Sequence, residues 1–289
     1  FTFFRTGGLD QVSLATGGAL DITISPVVRL WREARRTGIP PTNKALESAW
    51  SKVRFTSVLI DRRTSPGRRT AALDDAGLAL DFGAVGKGFA AQRAADLLRS
   101  RGFPRSLVAL AGDIVANDPP LDEHHRPTQG WRIAIHTGLS DDPAPTLILR
   151  NAAVSTSGDA EQFFTIGATR YAHIIDGRLA RRPVPPTLDD HAFRHRRAAT
   201  VVSARGEWAD ALGTALTILG PEWIEQNNQP RLRSLLKRFG NAWASIEWEH
   251  NGAVRTERIG PAPTLILPEP QNAGAASPTT DQPRNNPNQ

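Results

Sequence analysis

Residues 78–100 read LALDFGAVGKGFAAQRAADLLRS, and this stretch decides the class of fold. Leu78–Phe82 has the short apolar character of a β-strand, and the glycines that follow it predict a turn. From Lys87 to Ser100, alanine and leucine recur at helical spacing, and Gly102 is a typical helix stop. A strand that turns directly into an amphipathic helix predicts a fold that mixes α-helices and β-strands.

The rest of the chain continues this mixture. Further strands are predicted at Ser106–Leu110, Trp131–His136, Leu147–Arg150, Ala152–Ser155 and Trp243–Trp248, with a hairpin over Gln162–Ile175 that turns near Gly167. Helices are predicted at Pro26–Arg36, at Trp208–Leu219 with Gly220 and Pro221 as its end, and at Leu232–Arg238. No linker divides residues 10–260, and residues 1–260 are expected to form one domain, whereas the polar residues 261–289 are expected to be a disordered tail.

The composition excludes several kinds of protein. The 289 residues contain no cysteine, which excludes disulfides, thiolate metal sites and a cysteine nucleophile. No run of about eighteen apolar residues occurs, so no membrane-spanning helix is expected. The formal charge of +6 comes from scattered arginines, because the chain has only four lysines. This distribution favours a solvated surface or contacts to a small phosphorylated ligand over a nucleic-acid-binding face.

The glycine turn around Lys87 is the first candidate site. A turn that opens a helix exposes backbone N–H groups at the positive end of the helix, which suits a phosphate. The spacing is not that of a Walker A loop, because Gly83 lies too close to Gly86 and Gly88 follows the lysine where serine or threonine is required. The alternative interpretation is an ordinary strand-to-helix turn with a surface lysine.

Asp210 and Thr214 form the second candidate site. They are four residues apart on the predicted helix and therefore share a face. A carboxylate and a hydroxyl are hard oxygen ligands of the kind that Mg²⁺ takes together with substrate phosphates. The alternative is an aspartate stabilised by the helix dipole and a threonine that bonds back to its own helix.

The third candidate site combines Ser155–Asp159 with Tyr171–Asp176. His173 interrupts an apolar run there, and histidine is the side chain whose ordinary pKa lies near neutrality, so His173 is a candidate general base; a hydrogen-bonded structural histidine is an equally good interpretation. His191 and His195 are four apart, but no Glu completes a H-E-x-x-H motif, which disfavours zinc. Serine hydrolase chemistry lacks its G-x-S-x-G motif.

In order along the chain, these segments resemble the motifs of the ApbE-like FAD:protein FMN transferase family. Gly17–Asp21 is similar to its G-A-F-D segment, Asp81–Ala90 to D-x-G-x-x-x-K-G-[YF]-A, and Leu110–Asp113 to its G-G-D strand end. Ser155–Asp159 matches T-S-G-D, Tyr171–Asp176 resembles Y-S-H-I-I-D, and Ala209–Thr214 resembles A-D-A-x-x-T. One such motif is weak, but six in order are strong evidence for the family.

The resemblance implies an α+β domain with a mixed or antiparallel sheet and flanking helices. It implies that Asp210, Thr214 and the main-chain carbonyl of Ala84 hold Mg²⁺, and that His173 is the catalytic base. The residues that it places against FAD are Ala19, Leu20, Asp21, Asp81 and Lys87. The implied activity moves FMN from FAD to a Thr or Ser hydroxyl of a partner flavoprotein and releases AMP.

Two alternatives remain at this stage. A Mg²⁺-dependent FAD pyrophosphatase would use the same site with water in place of the acceptor, and a non-catalytic flavin-binding protein would keep the motifs without turnover. The family has a substantial segment before the G-A-F-D region, so part of it is expected to be missing from this chain. The family is usually found in the bacterial cell envelope, but the chain carries no recognisable signal with which to assign a compartment.

Overall fold

The computed structural model describes residues 9–60, 70–139, 144–159, 163–191 and 196–266. The α-helices in these ranges are α1 (Leu9–Ala15), α2 (Ser25–Thr37), α3 (Asn43–Trp50), α4 (Gly86–Ser100), α5 (Gly206–Glu225) and α6 (Gln229–Arg238). Short 3₁₀ helices lie at Ile22–Ile24, Phe55–Ser57, Gly177–Arg181 and Leu188–His191. Each helix in the described part of the chain is too short or too polar to cross a lipid bilayer.

The strands form one large sheet and three small ones. They are β1 (Val58–Ile60), β2 (Ala71–Leu73), β3 (Leu107–Leu110), β4 (Asp113–Ala116), β5 (Trp131–Ala134), β6 (Thr146–Leu149), β7 (Ala152–Gly158), β8 (Phe163–Ile166), β9 (Thr169–Ala172), β10 (Arg197–Ser203), β11 (Trp243–His250), β12 (Ala253–Ile259) and β13 (Thr264–Ile266). The large sheet has the order β12-β11-β10-β7-β4-β3, and the small sheets are β13-β6-β5, β1-β2 and β8-β9. All these pairings are antiparallel, so the α+β prediction is confirmed.

Helix α5 packs against the middle of the large sheet and forms the main core with it. Leu212, Leu216 and Leu219 of α5 are fully buried in the same cluster as Val201 of β10 and Ile246 of β11. Burial of a leucine of this kind contributes about 1.5–3 kcal/mol relative to leaving it exposed. The middle of α5 is therefore packed firmly onto the sheet.

Helices α4 and α5 meet at two glycines. A Cβ atom placed on Gly88 would lie 2.2 Å from the carbonyl oxygen of Gly206, and one placed on Gly206 would lie 2.3 Å from the carbonyl oxygen of Gly88. Any side chain at either position would overlap the backbone of the other helix. The two helix starts can touch only because both residues lack a Cβ.

The β8–β9 hairpin packs on α2 through aromatic rings. The ring of Trp31 lies 4.8 Å from that of Tyr171 and 6.0 Å from that of Phe164, measured between centroids. His191 adds a ring 4.9 Å from Trp31 and accepts a hydrogen bond from Trp50 Nε1 at 3.2 Å. This aromatic cluster joins the β8–β9 hairpin to α2 and to the short helix that contains His191.

The predicted end of the long helix is wrong. Instead of stopping at Gly220 and Pro221, α5 continues to Glu225 with Pro221 inside it. Gly220 serves packing: a Cβ there would come within 2.8 Å of the Ile246 side chain on β11. Trp223 beyond the proline is 2% exposed, so tertiary packing outweighs the hydrogen bond that proline removes.

Two other predictions change. Leu78–Phe82 is not a strand; it is held by a backbone bond from Asp81 N–H to the carbonyl oxygen of Ile22 at 2.7 Å. Thr264–Ile266, placed in the expected tail, forms β13 and pairs with β6. β13 is the edge strand of that sheet, and residues 267–289 lie outside the described part of the chain.

Candidate active site

The predicted site residues come together around a cavity of about 170 Å³. Seven of the nine line it: Ala19, Leu20, Asp21, Asp81, Ala84, His173 and Thr214. The other two, Lys87 and Asp210, contact each other beside it, and Lys87 lines an adjoining open groove that shares Arg32, Asp81 and Gly83 with the cavity. Segments from four distant parts of the sequence therefore converge at one place.

Asp21 ends the glycine-rich segment and is turned inward. Its Oδ1 accepts hydrogen bonds from Thr23 N–H at 2.9 Å and from the Thr23 hydroxyl at 2.6 Å. Burial raises the pKa of Asp21, although the bonds to Thr23 oppose the shift. The carboxylate thus caps the short helix that follows it.

Asp81 ties the glycine turn to helix α2. Its Oδ1 accepts from Gly83 N–H at 2.7 Å, and its Oδ2 pairs with Arg32 at 2.9 Å. Arg32 also lines both the cavity and the groove. The sequence prediction missed Arg32; its spacing of three residues from Arg29 on one face of α2 was the available signal.

Asp210 lies at the base of the site, with its side chain 1% exposed. Oδ2 accepts from Gly88 N–H at 2.9 Å, a contact that the two facing glycines make possible. Burial and the nearby Asp113 carboxylate raise the pKa of Asp210 to about 6, against the opposing effect of the Lys87 ammonium. Burial and Asp113 thus disfavour the charged form of Asp210 more than Lys87 favours it.

Lys87 bridges two buried carboxylates. Its Nζ lies 2.5 Å from Asp113 Oδ2 and 3.4 Å from Asp210 Oδ1. Burial alone would lower the pKa of Lys87, but the Asp210 and Asp113 carboxylates outweigh it and raise that pKa. The lysine is thus a permanently charged group that faces the groove.

Thr214 lies one turn beyond Asp210 and faces the cavity, as the helical spacing predicts. Its Oγ1 is 3.3 Å from the hydroxyl of Ser157 on β7. The T-S-G-D segment therefore lies against the predicted metal ligand, although Asp159 itself points elsewhere and accepts from Arg197 N–H at 2.7 Å.

His173 follows β9 and reaches the cavity from the hairpin side. It is exposed, in contrast to the buried Asp210. The next residues, Ile174 and Ile175, line both this cavity and a larger one of about 580 Å³. They separate the two cavities.

The sequence-based expectation about zinc concerns His191 and His195. Among them, no three His, Cys, Asp or Glu side chains are grouped in a way that could hold a metal ion. His191 is buried in the aromatic cluster, and His195 lies outside the described residues.

The sequence profile of the ApbE family matches residues 8–235. The chain belongs to the ApbE family. It is 32% identical over 213 residues to a FAD:protein FMN transferase of Treponema pallidum, covering 72% of this chain and 56% of that protein. A FAD:protein FMN transferase of Vibrio cholerae is 30% identical over 211 residues, covering 72% of this chain and 57% of that protein. The chain thus spans little more than half the length of these relatives.

Solved ApbE structures have the same fold. The apo form of the flavinyl transferase ApbE of Pseudomonas stutzeri matches with a TM-score of 0.62 and 25% identity, over 86% of this chain and 69% of that one. The ApbE protein of Thermotoga maritima matches with a TM-score of 0.68 and 23% identity, over 88% of this chain and 74% of that one. These matches confirm the α+β architecture.

Proposed function

We propose that this ApbE-family chain transfers FMN from FAD to a Thr or Ser hydroxyl of an acceptor flavoprotein and releases AMP. The observation that carries the proposal is the convergence of His173, Asp81, Lys87 and Asp210 around one cavity and its adjoining groove. This set contains a candidate base, a cation for phosphate and a buried carboxylate. The names of the relatives support the same reaction.

Mg²⁺ fits the residues at the base of the site. Asp113 and Asp210 are both buried, a single lysine lies between them, and Asp113 Oδ1 has no hydrogen-bond partner among the described residues. One ammonium does not balance two carboxylates, so the site favours an added cation. We assign Asp210, Thr214 and the Ala84 carbonyl as its protein ligands; Mg²⁺ often takes few protein ligands and completes its shell with water and phosphate. When bound, it would neutralise phosphate charge.

The chain's own residues account for the remaining steps. The acceptor hydroxyl oxygen forms a bond to the FMN-side phosphorus, the bond from that phosphorus to the bridging oxygen breaks, and AMP leaves with that oxygen. His173 accepts the hydroxyl proton. Lys87 lies beside the phosphates and offsets the charge of the leaving group, while Asp21 and Asp81 order the two loops that face FAD.

The decisive experiment incubates the purified chain with FAD and Mg²⁺, with and without an acceptor flavoprotein domain. AMP release and covalent flavin fluorescence on the acceptor are followed together. We expect equal amounts of AMP and covalent flavin, and neither without Mg²⁺. An acceptor with its target Thr replaced by Val is the matched control.

Two other outcomes would contradict the proposal. AMP release that does not depend on the acceptor would identify a FAD pyrophosphatase. Tight FAD binding without AMP would identify a flavin-binding protein that does not turn over.

A further inference from the structure

Asp113 adds negative charge at the base of the site, but the proposed reaction assigns it no ligand and no step. It begins β4, directly after the turn at Ala111 and Gly112, and both turn residues have positive φ, +46° and +95°. Ala111 adopts this left-handed conformation without the freedom of glycine, so the turn is strained. Strain of this kind persists where the surrounding structure requires a particular geometry, and it often occurs at functional sites.

The contacts of Asp113 are concentrated on Lys87. Its side chain is 3% exposed, its Oδ2 lies 2.5 Å from Lys87 Nζ, and its Oδ1 has no hydrogen-bond partner among the described residues. The Lys87 side chain is 46% exposed at the groove. A half-exposed lysine can adopt many rotamers, and the ion pair with Asp113 restricts Lys87 to one of them.

A purely structural role explains this arrangement poorly. A buried carboxylate loses its hydration, and no described residue compensates Asp113 Oδ1 with a hydrogen bond. If Asp113 only joined β4 to α4, a neutral side chain of the same shape would serve as well or better. The arrangement makes sense if the position of the lysine matters more than stability.

We propose that Asp113 is a positioning residue that holds the Lys87 ammonium toward the phosphates of FAD and keeps it from pairing with Asp210 alone. Without Asp113, the nearest carboxylate for Lys87 is Asp210, 3.4 Å away. The ammonium would then pair with the predicted metal ligand and compete with the cation there. This inference rests on the proposed function, because it takes FAD as the ligand.

The test is a double-mutant cycle on the affinity for FAD, measured by equilibrium binding with Mg²⁺ present. We expect Asp113→Asn to weaken FAD binding about tenfold, the size of one lost charge-assisted hydrogen bond. In a Lys87→Gln background the same substitution should change nothing, because there is no ammonium to position. The melting temperature of Asp113→Asn should equal or exceed that of the parent. Asp118→Asn, which removes the same charge from a half-exposed site, is the control.

A second measurement needs no change at Asp113. The chain has four lysines, so ¹³C-labelled lysine gives four Cε signals, and Lys87→Gln assigns one of them. Before FAD is added, the Lys87 signal should show a rigid side chain, in contrast to the exposed Lys44. A Lys87 signal as mobile as that of Lys44 would overturn the inference even if Asp113→Asn does not fold.

The outcomes separate this inference from the proposed function. If the parent binds FAD and the two substitutions act additively, Asp113 does not work through Lys87, and the transferase proposal stands. If the parent binds no FAD, the proposed function fails and the inference fails with it.

Discussion

The two sides of the candidate site are built in opposite ways. The helix wall, made of the starts of α4 and α5, carries Lys87 and Asp210; its contacts join residues more than 120 positions apart, and Asp210 is almost fully buried. The hairpin wall, made of β8, β9 and the loop through Gly177, carries the exposed His173. The Asp210 side chain is therefore part of the core, whereas the His173 side chain is exposed. Substitutions should separate activity from stability on the hairpin wall but not on the helix wall.

The largest effect is expected for Asp210→Ala on the helix wall. Loss of the assigned metal ligand should lower Mg²⁺-dependent AMP release at least about a thousandfold. Titration of Mg²⁺ at saturating FAD is the measurement, with Glu47→Ala on the exposed face of α3 as the control. A folded Asp210→Ala protein with the parent's activity would remove Asp210 from the metal site.

The next largest effect is expected for His173→Ala on the hairpin wall. Loss of the base should slow transfer roughly a hundred- to ten-thousandfold, while FAD affinity and the melting temperature stay near the parent's. Acceptor flavinylation and equilibrium FAD binding are measured on the same preparation. Transfer at the parent's rate would exclude His173 as the base, and a large drop in melting temperature would contradict the contrast between the two walls.

Gly88→Ala tests the backbone contact within the helix wall. The new methyl group would overlap the Gly206 carbonyl, which should lower the free energy of unfolding by about 3 kcal/mol. Gly86→Ala is the matched control on the same helix, since its Cβ would lie 3.8 Å from the nearest atom, an ordinary contact. Urea unfolding of both variants provides the comparison. Equal unfolding free energies for the two variants would show that α4 and α5 can move apart to accommodate the methyl group.

The smallest effect concerns the dependence of the unfolding free energy on pH. The contribution of His191, on the hairpin side, and that of Asp210, on the helix wall, change in opposite directions as pH falls. Burial lowers the pKa of His191, beneath the hairpin, from 6.5 to about 4. The contribution of neutral His191 to the free energy of unfolding is therefore fully present above pH 6.5 and is lost as pH falls toward 4. Asp210 has a raised pKa. Its contribution to the free energy of unfolding therefore falls as pH rises from about 4 to 6.

Comparison of the parent with His191→Gln isolates the histidine. Between pH 7.5 and pH 5 the parent should lose about 2 kcal/mol of unfolding free energy more than the variant does. Urea unfolding at the two pH values is the measurement, and His124→Gln in an exposed loop should behave as the parent does. A variant that loses as much as the parent would show that His191 is not the group that titrates.

Elements with a strong local pattern could be predicted from the sequence. Helices α2 and α4 follow from their apolar spacing, and the hairpin follows from Gly167 between two apolar runs. The central strand β10 was missed because both of its faces are buried, so its Ala-Ala-Thr-Val-Val sequence shows no alternation. Gly220 resembles a helix stop and is a packing residue, which only the position of β11 reveals.

The same distinction applies to the site. Each motif could be recognised by itself, and the shared face of Asp210 and Thr214 follows from helical geometry. The contact between Lys87 and Asp113 could not be predicted, because it depends on how a helix and a strand 26 residues apart pack together. In the sequence, Arg32 cannot be distinguished from other surface arginines. Its pairing with Asp81 is visible only in the folded structure.

The facing glycines of α4 and α5 also set a condition for protein design. Because each glycine makes room for the other's carbonyl, the distance between the two helices is set by backbone against backbone, with no adjustable side chain between them. A designer who transplants Lys87 and Asp210 to another scaffold must carry both glycines with them. Without that pair, the same side chains would be present at the wrong separation.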